Sequence, residues 1–213
     1  MQTHSLEVKR TARIYTLGKL TPSTERIWIV LHGYSMLAEF FIKKFDHLDL
    51  EKNYIIAPEG LSRFYQNGMN GRVGASWMTS ADRLNEIQDY IQYLNDVYRQ
   101  FIEPNKKNRK VIALGFSQGN STLFRWINAN NYSFEKIISW GGTIPTDVIE
   151  NYKINHHSIS IYYGNQDPFF SQKDIDQYTT ALNQHNIDFT LNKYEGGHTI
   201  IKEEITDDLI STS

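Results

Sequence analysis

The stretch LGFSQGNS, residues 114–121, places Ser117 between Gly115 and Gly119. The apolar run KVIALGF (110–116) leads into it, and a helical pattern follows it. A Gly-x-Ser-x-Gly turn between a strand and a helix is the setting of a nucleophile elbow, where missing Cβ atoms let strand and helix approach closely. A serine that merely caps a helix would not need a glycine on each side. The stretch therefore predicts an α/β fold with an exposed, reactive Ser117.

Short apolar runs alternate with longer amphipathic stretches along the whole chain. Strands are predicted at 12–18, 26–33, 54–60, 110–116, 136–142, 158–164 and 189–197, and helices at 37–49, 80–102, 119–130, 172–185 and 201–211. Near-continuous apolar strands and strand–helix alternation are typical of a mainly parallel sheet with helices on both faces. Strand 12–18 is expected at the edge. Because no repeat or linker interrupts the pattern, we expect one domain over residues 1–213.

The segment 60–80 departs from this pattern. It is rich in glycine and aromatic residues and shows no sustained hydrophobic period. A long loop inside a compact domain is usually functional or mobile. We therefore expect an irregular, movable flap here, and no large cap domain elsewhere in the chain.

Composition excludes several classes of function. The net charge of −2 argues against a broad nucleic-acid surface, and no apolar run reaches the length of a membrane span. The absence of cysteine excludes disulfides and thiol catalysis, and no metal-binding spacing of histidines occurs. The first ten residues lack the apolar core of a signal peptide, so we expect a cytoplasmic protein.

A serine hydroxyl needs a base and an acid that orients the base. His198 follows the predicted strand FTLNKY and the turn EGG, and Asp167 follows SISIYY through GNQDP. Both therefore lie at carboxyl ends of predicted strands, where sites form in such sheets. The order Ser117, Asp167, His198 is that of α/β-hydrolases.

Other residues compete for these roles. Asp147, after SWGGTIPT, is a weaker candidate for the acid. His156 and His157 lie in a polar segment and are interpreted as solvated, and His32 as a structural loop histidine.

Two backbone N–H groups are candidate donors to the oxyanion that forms during acyl transfer. One belongs to Gln118, the residue after the nucleophile, and the other to Tyr34 in the loop VLHGYSM (30–36).

The motifs LHG (31–33), GFSQG (115–119), QDP (166–168) and GGH (196–198) resemble those of the phospholipase/carboxylesterase family of compact α/β-hydrolases, which includes acyl-protein thioesterases. The resemblance covers about residues 25 to 210. It implies the same nucleophile, acid, base and oxyanion donors, and ester or thioester cleavage through an acyl-enzyme without a cofactor. The chain departs from the family in HGYSM, where members commonly read HGxGD, and in Asn120, where a glycine is usual.

The expected partner is a small-molecule ester or thioester with a small to medium acyl group. Candidate wall residues of its pocket are Trp77, Phe64, Met69, Phe169 and Phe170. An aromatic wall favours an apolar acyl or aryl group. The alternatives are a peptidase or lactone hydrolase with the same triad, and a non-catalytic binding protein of the same fold.

Overall fold

A mainly parallel β-sheet forms the centre of the protein. The computed structural model describes residues 1–130, 132–154 and 158–206. The strands in this part of the chain are β1 (Ile14–Leu17), β2 (Arg26–Leu31), β3 (Asn53–Pro58), β4 (Ser62–Asn67), β5 (Asn70–Ser76), β6 (Lys110–Phe116), β7 (Lys136–Trp140), β8 (Ser158–Gly164) and β9 (Thr190–Tyr194). Among the described residues, the central sheet has the order β1-β3-β2-β6-β7-β8-β9, with β1 antiparallel to β3 and every other pair parallel. The predicted parallel sheet and its edge strand are confirmed.

Alternation along the strands sends side chains into two cores, one on each face of the sheet. In β2, Ile27, Ile29 and Leu31 belong to one core, whereas Trp28 and Val30 belong to the other. The central strands are thus buried on both faces, which is why they read as near-continuous apolar runs.

Helices cover both faces of the central sheet, as predicted, but more of them lie on one face than on the other. The α-helices in the described residues are α1 (Ala38–Phe41), α2 (Arg83–Val97), α3 (Gln118–Asn128), α4 (Thr146–Ile149) and α5 (Gln172–Gln184), and a π-helical segment, Tyr98–Ile102, continues α2. The α2, α3, α4 and α5 helices contribute to the first core. The second core is closed by α1, by the 3-10 turn Ile42–Phe45 and by apolar residues of the segment 200–205.

Some predicted helices differ in detail. The helix predicted over 37–49 is the short α1 followed by a 3-10 turn, and α4 was not predicted. The helix predicted at 201–211 is replaced by a 3-10 turn at Lys202–Glu204, while residues 207–211 lie outside the described residues. No helix in the described part of the chain is long and apolar enough to cross a membrane.

The segment 60–80 is not an irregular loop, so that prediction was wrong. Strands β4 and β5 pair as an antiparallel hairpin, and most of the side chains of β4 are exposed. Because exposed strands need no apolar alternation, the hairpin left no hydrophobic period in the sequence. At its base, Ala75 exchanges backbone hydrogen bonds with Ser35 and Met36 (2.9 and 3.1 Å), which fixes the hairpin to the loop after β2.

Candidate active site

Ser117 lies on a strained turn between β6 and α3. Its φ of 54° and ψ of −119° lie in a region that L-residues rarely adopt, as a nucleophile elbow requires. A Cβ on Gly115 would lie 2.5 Å from the Cα of Asn120, and one on Gly119 would collide with the Leu31 carbonyl. The predicted reason for both glycines, close approach of strand and helix, is confirmed.

The structure brings the predicted base and acid to this serine. His198 Nε2 is 2.9 Å from Ser117 Oγ, and His198 Nδ1 is 2.7 Å from Asp167 Oδ2. Because a carboxylate only accepts hydrogen bonds, Nδ1 carries the hydrogen and Nε2 is left to accept the serine proton. The side chain of Asp167 is fully buried, whereas that of His198 is 19% exposed.

Hydrogen bonds of the backbone fix the positions of Asp167 and His198 relative to each other. Phe169 N–H donates to Asp167 Oδ1 at 2.9 Å, so both carboxylate oxygens are engaged. The loops that carry Asp167 and His198 are joined by a hydrogen bond from Gln166 N–H to the Gly196 carbonyl at 2.9 Å. The loop after β8 and the loop after β9 therefore form one unit.

The competing acid, Asp147, is engaged elsewhere. It forms ion pairs with Arg125 and Arg83 at 2.8 and 3.3 Å, and the hydrogen bond from Arg125 lowers its pKa. His156 and His157 lie outside the described residues. Among the described residues, no group of three or more histidine or carboxylate side chains is arranged to hold a metal ion.

The loop after β2 borders the elbow. A Cβ on Gly33 would lie 3.1 Å from Ser117 Cβ, so the backbone leading to Tyr34 passes directly beside the serine. Ser35, which stands where the phospholipase/carboxylesterase family that the motifs resemble commonly has a glycine, has a φ of 64°. Gly74 of β5 leaves room for Ser35, because a Cβ at position 74 would lie 2.7 Å from the Ser35 carbonyl oxygen.

Gln118 begins α3, so its backbone N–H belongs to the first turn, where helix N–H groups have no partner within the helix. Its side chain performs a separate task that the sequence did not indicate. The amide accepts from Trp77 N–H at 3.1 Å and donates to the Met78 carbonyl at 2.8 Å. It thereby ties the end of the hairpin to the elbow.

The expected structural role of His32 is confirmed. Its ring is buried, its Nδ1–H donates to the Gly33 carbonyl at 2.8 Å, and its Nε2 accepts from Gly60 N–H at 2.9 Å. Burial lowers the pKa of His32, which keeps the ring neutral and able to make both bonds.

Comparison with known proteins identifies the family of this chain. Residues 55–208 match the model of the dienelactone hydrolase family. The chain belongs to this family. It is therefore a hydrolase that acts on ester bonds, as predicted.

Solved structures that resemble this family member include several esterases. Esterase PE8 is 19% identical with a TM-score of 0.68, over 95% of this chain and 97% of that one. Zea mays acyl-protein thioesterase 2 is 14% identical with a TM-score of 0.68, over 94% and 97%. A phospholipase/carboxylesterase from Dyadobacter fermentans is 21% identical with a TM-score of 0.67, over 97% and 99%. These likenesses confirm the predicted α/β-hydrolase fold; no curated protein sequence matches the chain significantly.

The predicted wall residues of this dienelactone hydrolase family member have different environments. Phe169 meets the His198 ring edge-on, with centroids 4.7 Å apart, and Phe64 stacks on Tyr34 at 5.3 Å. Phe170 is half-buried beside the Asp167 loop, to which its N–H donates at 3.3 Å.

Two of the predicted wall residues, Trp77 and Met69, lie elsewhere. Trp77 is 2% exposed and belongs to the first core, where its indole N–H donates to the His32 carbonyl at 2.8 Å. Met69 is 92% exposed at the tip of the hairpin. Neither lines the site in this structure, because aromatic or apolar character alone does not say which way a side chain points.

Asn120 follows the elbow glycine and is fully buried. Neither its Nδ2 nor its Oδ1 has a hydrogen-bond partner among the residues that the structure describes. The amide packs against Gly142, where a Cβ would lie 2.9 Å from Asn120 Cβ. Where the phospholipase/carboxylesterase family that the motifs resemble usually has a glycine, this chain thus has a buried polar side chain without a partner among the described residues, three positions after Ser117.

Proposed function

We propose that this protein hydrolyses carboxylic esters through an acyl-enzyme, with Ser117 as nucleophile, His198 as general base and Asp167 as the residue that orients the base. The observation that carries the proposal is the pair of hydrogen bonds of 2.9 and 2.7 Å linking the three side chains. Such a chain removes the serine proton and stabilises the imidazolium that results.

The reaction proceeds in two halves. His198 Nε2 takes the Ser117 proton as Oγ attacks the substrate carbonyl, and the proton then passes to the departing alkoxide as the acyl–oxygen bond breaks. In the second half, His198 takes a proton from water, which attacks the acyl-enzyme. The proton returns to Ser117 Oγ as the acid product leaves.

The oxyanion is held by backbone donors. The N–H of Gln118, at the start of α3, and the N–H of Tyr34, in the loop beside the elbow, are assigned this role. The position of Gly33 against Ser117 supports the second assignment.

The substrate is assigned as a small-molecule ester or thioester with an apolar acyl or aryl group. Phe169 against His198 and the stacked pair Tyr34–Phe64 give the site exposed aromatic edges that favour such a group. A second candidate is a lactone, which is a cyclic ester, because the matching family is named for dienelactone hydrolysis. The same triad cleaves both, and in a lactone the leaving alkoxide stays attached to the acyl group.

Labelling with a fluorophosphonate probe tests the nucleophile. The wild type is expected to be labelled and to hydrolyse p-nitrophenyl esters, and Ser117→Ala to lose labelling and about 10⁴-fold or more of kcat. Ser121→Ala, a change of the same kind one turn further along α3, is the matched control and should keep both. Labelling of Ser117→Ala would contradict the assignment.

A panel of acyl esters of graded length, thioesters, lactones and amides then separates the substrate classes. Faster turnover of lactones than of open esters favours the second candidate, and amide turnover favours a peptidase. A folded wild type that reacts with no serine-directed probe would instead indicate a non-catalytic binding protein.

A further inference from the structure

The backbone carbonyl groups of Gly197 and Thr199, the residues on either side of His198, accept hydrogen bonds from buried aromatic side chains. The Tyr194 hydroxyl lies 3.1 Å from the Gly197 carbonyl oxygen and 2.9 Å from that of Thr199. Since a hydroxyl has one hydrogen, the two acceptors share it. The Trp140 indole N–H donates to the same Thr199 carbonyl at 3.1 Å.

The donors themselves cannot shift easily. Trp140 and Tyr194 end β7 and β9, are 0% and 3% exposed, and their ring centroids lie 5.3 Å apart. Tyr162 of the intervening strand β8 stacks on Trp140 at 4.6 Å. Burial raises the pKa of Tyr194, so its hydroxyl keeps its hydrogen at neutral pH.

Other hydrogen bonds to the turn that carries His198 lie further from the histidine: Gln166 N–H donates to the Gly196 carbonyl at 2.9 Å, and Lys44 Nζ donates to the Ile200 carbonyl at 3.3 Å. Thr199 N–H closes the turn through a 2.9 Å bond to the Gly197 carbonyl, and two glycines precede the histidine. A rotation of this turn would move Nε2 away from Ser117 and Nδ1 away from Asp167 together.

We propose that Trp140 and Tyr194 are positioning residues, which hold the peptide groups around His198 so that its ring meets Ser117 and Asp167 at once. This inference rests on the proposed function of His198 as the base. It concerns residues that touch neither the substrate nor the reacting atoms. Misplacing a reacting group by about 1 Å can cost up to about 100-fold in rate.

Tyr194→Phe tests the proposal, because it removes the hydroxyl and keeps the ring. We expect kcat for p-nitrophenyl esters and the rate of fluorophosphonate labelling to fall together by about tenfold, while KM stays unchanged. The low-field proton NMR signal of His198 Nδ1–H should weaken or broaden as well. A general loss of stability would not change the His198 NMR signal of the folded protein. It would also not lower kcat selectively.

Tyr93→Phe is the matched control. The Tyr93 hydroxyl also donates to a backbone carbonyl, that of Arg13, at 3.1 Å, but this carbonyl lies beside the edge strand β1. Melting curves of both variants verify folding at the assay temperature. Trp140→Phe is the second variant and should lower kcat in the same manner, with a larger loss in the double variant.

The outcomes are distinct from those of the proposed function. Equal kcat, labelling rate and NMR signal in Tyr194→Phe, Trp140→Phe and the control would overturn the positioning role while Ser117→Ala remains inactive. An unreactive wild type, or a labelled Ser117→Ala, would instead overturn the function on which it rests.

Discussion

Asn120→Ala is expected to make the protein more stable, although it removes a fully buried side chain. Asn120 is 0% exposed, and its amide has no partner among the described residues. A buried polar group without a hydrogen bond costs about 1 to 3 kcal/mol, and the amide contains one donor group and one acceptor.

Three contributions determine the expected change in the free energy of unfolding. Removing the unpaired amide recovers about 2 to 3 kcal/mol, and alanine is favoured over asparagine in a helix by about 0.5 kcal/mol. The lost contacts of the amide against Gly142 and its surroundings cost about 1 to 2 kcal/mol. The free energy of unfolding should therefore rise by about 0.5 to 2.5 kcal/mol, which raises Tm by roughly 1 to 10 °C in a chain of this size.

Urea unfolding followed by tryptophan fluorescence measures the change, with Asn53→Ala as the control. Asn53 is equally buried, but it accepts from the Trp28 indole and donates to the Asp49 carbonyl, both at 2.9 Å. Its loss should lower stability by about 2 to 4 kcal/mol. A comparable loss in Asn120→Ala would refute the reasoning, because it would mean that the amide is satisfied in solution.

Two further predictions concern the scaffold of the site. Gly119→Ala should lower the free energy of unfolding, measured by urea unfolding, by about 3 kcal/mol or more, because the new Cβ collides with the Leu31 backbone. The control Gly68→Ala, at an open turn, should lower it by about 1 kcal/mol. Equal losses in the two variants would contradict this reasoning. The lowered pKa of His32 means that unfolding takes up a proton, so its contribution to stability is complete above about pH 6.5 and is lost as the pH falls. Thermal melts between about pH 7.5 and 5 should show a steeper fall of Tm for the wild type than for His32→Gln, and parallel curves would count against the linkage.

The sequence was sufficient for features that depend on burial along a strand or on position at its end. Parallel strands covered on both faces must be apolar throughout, which is why β2 and β6 were predicted correctly. Since their carboxyl ends meet at one edge, residues that follow them, such as Ser117 and His198, converge there. Their convergence at that edge required no knowledge beyond strand order, whereas the distances between their side chains came from the structure.

Features that depend on contacts between distant residues were not predictable. The hairpin of β4 and β5 is exposed and carries no apolar period, and Trp77 was expected in a pocket wall because its burial behind His32 is a tertiary contact. The hydrogen bond from the Trp140 indole to the Thr199 carbonyl joins residues that are 59 positions apart in the chain. Its one local signal is an aromatic residue at the last position of a strand, directly before glycine.

The hairpin has a fixed base and a free tip. Its base is bound to the loop beside Ser117 through Ala75 and Gly74, whereas Cβ atoms on Gly68 and Gly71 would meet nothing within 4 Å. Residues added between these two glycines would therefore extend into solvent and leave the backbone of the base in its register. The tip is thus a position where segments of different length can be inserted while the base of the hairpin keeps its contacts with the loop beside Ser117.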